Sequence, residues 1–151
     1  MKILVCVDGS EQSMNAVQKA LDIVSDCKTG EVSFIHVLED IKKSYWLAMG
    51  EGYSPSREEM SHLVDLENQK RQEKDTMLKE AARPFEDLGI TVERLIRMGH
   101  PAHTITTVAD QGNFDMIIIG SRGLGGFRKM LLGSVSNAVI QETKRSVLVV
   151  K

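Results

Sequence analysis

A five-stranded parallel sheet, doubly wound with helices on both faces and ordered 3-2-1-4-5, is the fold this 151-residue chain predicts. Two observations carry it. Short unbroken apolar runs, among them Ile3-Leu4-Val5-Cys6-Val7 and Met116-Ile117-Ile118-Ile119, have the length and composition of strands buried on both faces of a sheet. Between such runs lie stretches whose apolar residues recur at three and four positions, the period of a helix. Strict alternation of the two patterns is the signature of βα units feeding a parallel sheet. At this length the simplest organisation is a single domain over residues 1–151.

The first strand is expected over residues 2–7, ending at Asp8-Gly9-Ser10, where Ser10 is placed to cap a helix. From Ser10 to about Cys27, Ala16, Val17, Ala20, Leu21 and Val24 keep helical spacing, and Gly30 marks the following turn. Residues 32–38 supply a second strand, with Phe34 and Ile35 giving bulk and His36-Val37 near its end. Residues 39–56 break every period, mixing Gly50, Gly52 and Pro55 with Tyr45, Trp46 and Tyr53, and read as a loop. A loop of that length is either an inert connection or a lid or contact surface.

A polar helix follows to about Leu88. Residues 67–76 contain no strongly apolar side chain, which predicts a solvated half, and Leu78, Ala81, Ala82 and Phe85 restore a core face. Gly89 ends it. Residues 90–97 form the third strand, and Gly99 with Pro101 introduces a helix carrying Ile105, Val108 and Ala109. Asp115 opens the fourth strand, and residues 146–150 the fifth, for five strands and four helices in all.

In doubly wound sheets ligands settle beyond the strand C-termini where the strand order reverses. Asp8 and Gly120 both end strands and meet there if strands one and four are neighbours. The fourth strand runs into Gly120-Ser121-Arg122-Gly123, and Gly133-Ser134 follows nine intervening residues later. Val135, Ala138 and Val139 then mark the inner face of a helix beginning at Ser134. Backbone N–H groups at a helix start lack internal partners and carry a partial positive charge, so phosphate oxygens are natural guests. Glycines allow close backbone approach and positive φ, the Ser134 hydroxyl adds a donor, and Arg122, Arg128 and Lys129 offset phosphate charge.

Other chemistries are excluded. No Gly-x4-Gly-Lys-Ser/Thr occurs, so this is no P-loop ATPase. A dinucleotide fingerprint starting at Gly123-Leu124-Gly125 fails at Arg128, and the Asp8-Gly9-Ser10 turn lacks the loop of the adenylating ATP pyrophosphatases. Nineteen basic against 21 acidic side chains argue against a nucleic-acid protein. Two cysteines, one inside a strand run, make no disulfide framework. His100-Pro101-Ala102-His103 lacks companions at zinc-site spacing and reads as a helix start. Met130, Leu131 and Leu132 read as cover for the core. No apolar run approaches the ~20 residues that cross a bilayer, so no membrane association is expected and the expected compartment is the cytoplasm.

The pattern Gly120-x2-Gly123-x9-Gly133-Ser134 closely resembles the ATP-binding signature of the universal stress protein family, with no departure within it. The resemblance spans essentially the whole chain, from Ile3-Leu4-Val5-Cys6-Val7-Asp8-Gly9-Ser10 to Ser146-Val147-Leu148-Val149-Val150, and includes Leu131-Leu132-Gly133-Ser134-Val135-Ser136. It implies that Gly120 lies near the ribose and that Gly123, Gly133, Ser134, Val135 and Ser136 surround the phosphates. Val7, Asp8, Ser121 and Arg122 complete the implied site, and Val37 meets adenine through its backbone. A carboxylate beside a triphosphate is repulsive, so Asp8 is expected to share Mg2+ with ATP or to accept the ribose hydroxyls.

Two functions follow from different classes. One is an ATP-loaded stress-response switch or binding module that signals to an unknown protein partner. The other is a slow ATPase or autophosphorylating enzyme with Ser134 or a neighbouring hydroxyl as acceptor; since Asp8 is the one candidate base and is committed to metal or ribose, binding is favoured over catalysis and no catalytic residue is assigned. An AMP-binding sensor is the third reading, because glycine spacing does not count phosphates. A last strand made of Val147-Leu148-Val149-Val150 is an apolar sheet edge, and a homodimer through it is expected, as the resemblance also implies.

Overall fold

The computed structural model describes residues 1–27, 30–50, 52–124 and 132–151. Among the described residues ten elements follow in order: β1 (Lys2–Cys6), α1 (Glu11–Cys27), β2 (Glu31–Leu38), α2 (Ile41–Met49), α3 (Arg57–Glu86), β3 (Val92–Met98), α4 (Pro101–Gln111), β4 (Met116–Gly120), α5 (Ser134–Glu142) and β5 (Ser146–Val150). The five strands form one sheet in the order β3-β2-β1-β4-β5, with every neighbouring pair parallel. Fold class and strand order are as the sequence predicts.

Because side chains alternate across a strand, the apolar runs feed two cores. Ile3, Val5 and Val7 of the first run join Phe34, Ala16, Leu78 and Phe85 on the face covered by α1 and α3. Leu4 and Cys6 join Ile35, Ile105, Phe114, Ile117 and Val139 on the face covered by α4 and α5. Phe34 and Phe85 meet edge to face, with ring centroids 5.3 Å apart, and fix α3 on the sheet. Cys6 is a buried free thiol whose ionisation is pushed up by burial and by the Asp8 charge, which makes it a core residue.

Residues 39–56 depart from expectation. They contain a helix, α2, started by Asp40, whose carboxylate accepts from Lys43 N at 2.9 Å, and stopped at Gly50 with φ of 86°. The helix buries no residue at all, so it writes no apolar period into the sequence. It is held from the side: Lys42 Nζ pairs with Glu67 at 2.8 Å, and Tyr45 and Tyr53 both donate to Glu59 at 3.2 and 2.6 Å. Glu59 also closes a capping box with Ser56 at the start of α3. Among the described residues the helices therefore number five rather than four.

One contact sets where the two halves of the sheet meet. A Cβ at Gly120 would stand 2.7 Å from the carbonyl carbon of Gln12 and 2.9 Å from Ser13 N, both backbone atoms in the first turn of α1. Neither atom can rotate away, so α1 lies directly on the end of β4 only while position 120 has no side chain. Gly120→Ala is expected to lower stability by about 1–3 kcal/mol in urea unfolding. Leu47→Ala, at a side chain 76% exposed on α2, is expected to stay within about 0.5 kcal/mol.

Candidate functional site

The strand order places the ends of β1 and β4 side by side, so the turns that follow them share one crevice. In the first turn, Asp8 Oδ1 accepts from both Ser10 N, at 2.9 Å, and Ser10 Oγ, at 2.6 Å. Ser10 Oγ accepts in turn from Ser13 N at 3.2 Å, the capping bond expected of it, and Ser13 Oγ accepts from Gly9 N at 3.1 Å. Gly9 sits at φ of 90°, and a Cβ there would stand 3.0 Å from Met77 Sδ, so α3 closes over this turn.

Asp8 spans the crevice. Burial pushes its carboxyl up, but hydrogen bonds from the Ser10 hydroxyl and amide, from Ser13 and from the Leu124 backbone outweigh burial and hold it below the ordinary carboxylate range. A Cβ on Gly123 would fall 2.5 Å from Asp8 Oδ2. The glycine thus lets the loop after β4 close onto a carboxylate that stays charged at neutral pH.

The second half of the glycine motif is drawn back by a clasp at Ser121. Its carbonyl accepts from Gly133 N at 2.7 Å and from Ser136 Oγ at 3.0 Å, while its N–H donates to Val150 O at 2.6 Å. A Cβ at Gly133 would lie 3.4 Å from Arg122 Cα, so the two glycine segments are in contact. Gly133 is the N-cap of α5, with φ of −72° and ψ of 164°, and it has no side chain to occupy the amides of Ser134, Val135 and Ser136. Those N–H groups open the helix beside Gly123.

The expected site residues separate by the part each offers. Ser136 is buried and shares its hydroxyl between Ser121 O and Gly133 O, both at 3.0 Å, so its side chain holds the clasp. Val135 and Val37 pack their side chains into the second core and Val7 its own into the first. Ile35 O accepts from Val7 N, so Val37, two residues on, turns its N–H and C=O to the same side, where β1 has already given way to the Asp8 turn. Gly120, Gly123 and Gly133 all avoid the left-handed region, and in this crevice the positive φ lies at Gly9; Gly120 and Gly123 serve close approach, whereas a Cβ at Gly133 would make only ordinary contact. Arg128, Lys129, Met130 and Leu131 fall outside the described residues.

His36 borders the crevice near Asp8, and periodicity does not single it out because a histidine inside a buried strand leaves the apolar pattern intact. It is buried, and its Nδ1 lies 2.7 Å from Val7 O; a carbonyl accepts only, so Nδ1 carries the proton. Burial holds its ionisation below the ordinary histidine value, with Lys74 adding to the effect and the Val7 bond and Asp8 opposing it. His100 is the N-cap of α4 with Pro101 behind it, as the helix-start reading expects. Among the described residues no group of three potential metal ligands converges.

The model of the Universal stress protein family matches residues 1–151. Universal stress protein YxiE of Bacillus subtilis is 31% identical, covering 99% of this chain and 98% of its own. Universal stress protein MJ0577 of Methanocaldococcus jannaschii is 34% identical over 99% of this chain and 94% of its own. The solved structure of MJ0577 superposes with a TM-score of 0.83 at 28% identity, covering 99% of this chain and 94% of that one. A universal stress protein from Archaeoglobus fulgidus solved with dAMP has the same fold, with a TM-score of 0.66 at 20% identity over 100% of this chain and 98% of that one.

Two outcomes test this geometry. Ser136→Ala is expected to cost about 1–2 kcal/mol in urea unfolding, because it removes the buried clasp. A histidine held below its unfolded value binds fewer protons folded than unfolded, so its stability contribution is complete above the unfolded value and is lost as pH falls below it. The melting temperature is expected to rise as pH is raised toward the ordinary histidine value of about 6.5, and His36→Gln to flatten that rise. An unchanged profile in the variant would remove His36 from this role.

Proposed function

The chain belongs to the universal stress protein family, and from that premise we propose that it is an ATP-binding module whose nucleotide-loaded state acts as a stress-response switch. The observation that carries the reading is the meeting of Asp8 with Gly123, where a single methyl group would fall 2.5 Å from Asp8 Oδ2. Beside that contact the amides opening α5 form a donor set for phosphate oxygens. A cation held at Asp8 would suit a polyphosphate better than a monophosphate, which favours ATP. The relative solved with dAMP, and another universal stress protein solved with cAMP, support an adenine nucleotide as the ligand class.

In this reading Gly120 lies beside the ribose, Gly123, Gly133, Ser134, Val135 and Ser136 surround the phosphates, and Val37 meets adenine through its free-facing backbone. Val7, Ser121 and Arg122 complete the wall. Asp8, anionic at neutral pH, repels a bare triphosphate, and Oδ1 is already taken by Ser10. We assign Oδ2 to a shared Mg2+, which needs only one or two carboxylates when phosphates and water complete its shell. The metal would neutralise charge between carboxylate and phosphate. Binding is favoured over turnover because Asp8 has no freedom left to act as a base.

The outer edge strand, β5, supports a homodimer. Val147, Leu148, Val149 and Val150 lie half-buried at an edge of the sheet, open to antiparallel pairing with a second copy. Sedimentation is expected to give twice the 16.8 kDa chain mass, and a monomer at micromolar concentration would overturn this pairing.

Mass spectrometry of ligand released on denaturing the freshly purified protein is expected to show ATP, with Gly123→Val arriving empty because its side chain meets Asp8. Removing Mg2+ with a chelator is expected to weaken ATP binding at least about tenfold. Released ADP or AMP would favour hydrolysis or a monophosphate ligand, and Ser134→Ala with full turnover would exclude that hydroxyl as acceptor. An empty protein that also fails to bind Mg-ATP would overturn the ATP assignment.

A further inference from the structure

The edge opposite β5 carries a feature the nucleotide site does not use. β3 is the last strand on its side of the sheet, paired only with β2 among the described residues. Along it runs an open groove of about 580 Å3 between α3 and β3, lined by Arg71, Gln72, Asp75, Thr76, Arg94, Ile96 and Arg97. Three arginines and a single carboxylate line it, in a chain whose formal net charge is −2. Asp75 takes Arg94 at 3.5 Å, while Arg71 and Arg97 have no carboxylate within 4 Å among the described residues.

The backbone of that edge is also available. Gly99 N donates to Leu38 O of β2, so by alternation Arg94, Ile96 and Met98 turn their N–H and C=O groups away from the sheet. Ile96 O is held by the Arg97 side chain, Nη1 to O 3.3 Å, a bond an incoming strand would replace while giving Arg97 a carboxylate. A row of outward amides and carbonyls is matched by another polypeptide backbone and by neither a phosphate compound nor a membrane.

We propose that the α3–β3 edge is a docking surface for an extended acidic peptide segment, which adds a strand to β3 and places carboxylates on Arg71 and Arg97. Backbone pairing supplies register, and the guanidinium groups select acidic sequences by charge-assisted, bidentate contacts. The groove lies one strand beyond His36 and Val37, whose register partners are Ile96 and Arg97, and its lining includes none of the residues assigned to the nucleotide.

The test uses the full chain and a fluorescein-labelled peptide of about ten residues in which glutamate alternates with valine, read by fluorescence anisotropy. It is expected to bind at least about tenfold tighter than the same peptide with glutamine for glutamate, and to lose about tenfold or more against Arg71→Glu/Arg97→Glu. Both arginines are exposed, so circular dichroism of the variant is expected to be unchanged. Methylating alternate backbone nitrogens of the peptide tests the strand itself and is expected to abolish binding. Equal binding of the glutamine peptide, of the reversed variant or of the methylated peptide would overturn the proposal.

Discussion

Everything in the crevice depends on the first turn of α1 resting, backbone on backbone, against the end of β4. With no side chain at Gly120, the helix that follows β1 lies across the next strand rather than beside it. Asp8 is then within reach of Gly123 and Leu124, and two turns more than a hundred residues apart become one wall. Interiors are close-packed, so a contact of this kind does not adjust by degrees.

On that base the site is assembled from main chain. The Ser121 carbonyl collects Gly133 and Ser136, which sets α5 with its opening amides beside the glycine loop. His36 occupies the Val7 carbonyl while Val37, at the next position, points its own backbone past the end of β1. The side chains of Val7, Val37, Val135 and Ser136 all serve the cores or the clasp. A crevice built from amides and glycines presents fixed dipoles and costs little side-chain entropy to hold. Its negative member, Asp8, stays charged because Ser10, Ser13 and Leu124 solvate it in place of water.

The parts of this arrangement legible in the sequence are those written by burial on two faces or by glycine. Unbroken apolar runs gave the strands, and Ser10, Gly89 and Pro101 marked helix boundaries within a few residues. α2 was illegible because a helix that buries nothing has no period to display. The motif glycines gather at one crevice, where close approach rather than positive φ is what two of them need, Gly120 to α1 and Gly123 to Asp8, while a Cβ at Gly133 would make only ordinary contact with Arg122. Hydrogen bonds between residues far apart in sequence, such as Ser136 to Ser121 and His36 to Val7, leave no local trace.

In the proposed binding mode the amides opening α5 form an anion cradle before any ligand arrives. Amide chemical shifts of the 15N-labelled protein, freed of nucleotide and titrated with Mg-ATP, are the decisive measurement. The largest changes are expected at Ser134, Val135, Ser136, Gly123 and Val37, with the remaining strand amides unmoved, as a preformed site requires. Changes confined to other surfaces, or a shift of the whole spectrum on binding, would contradict it.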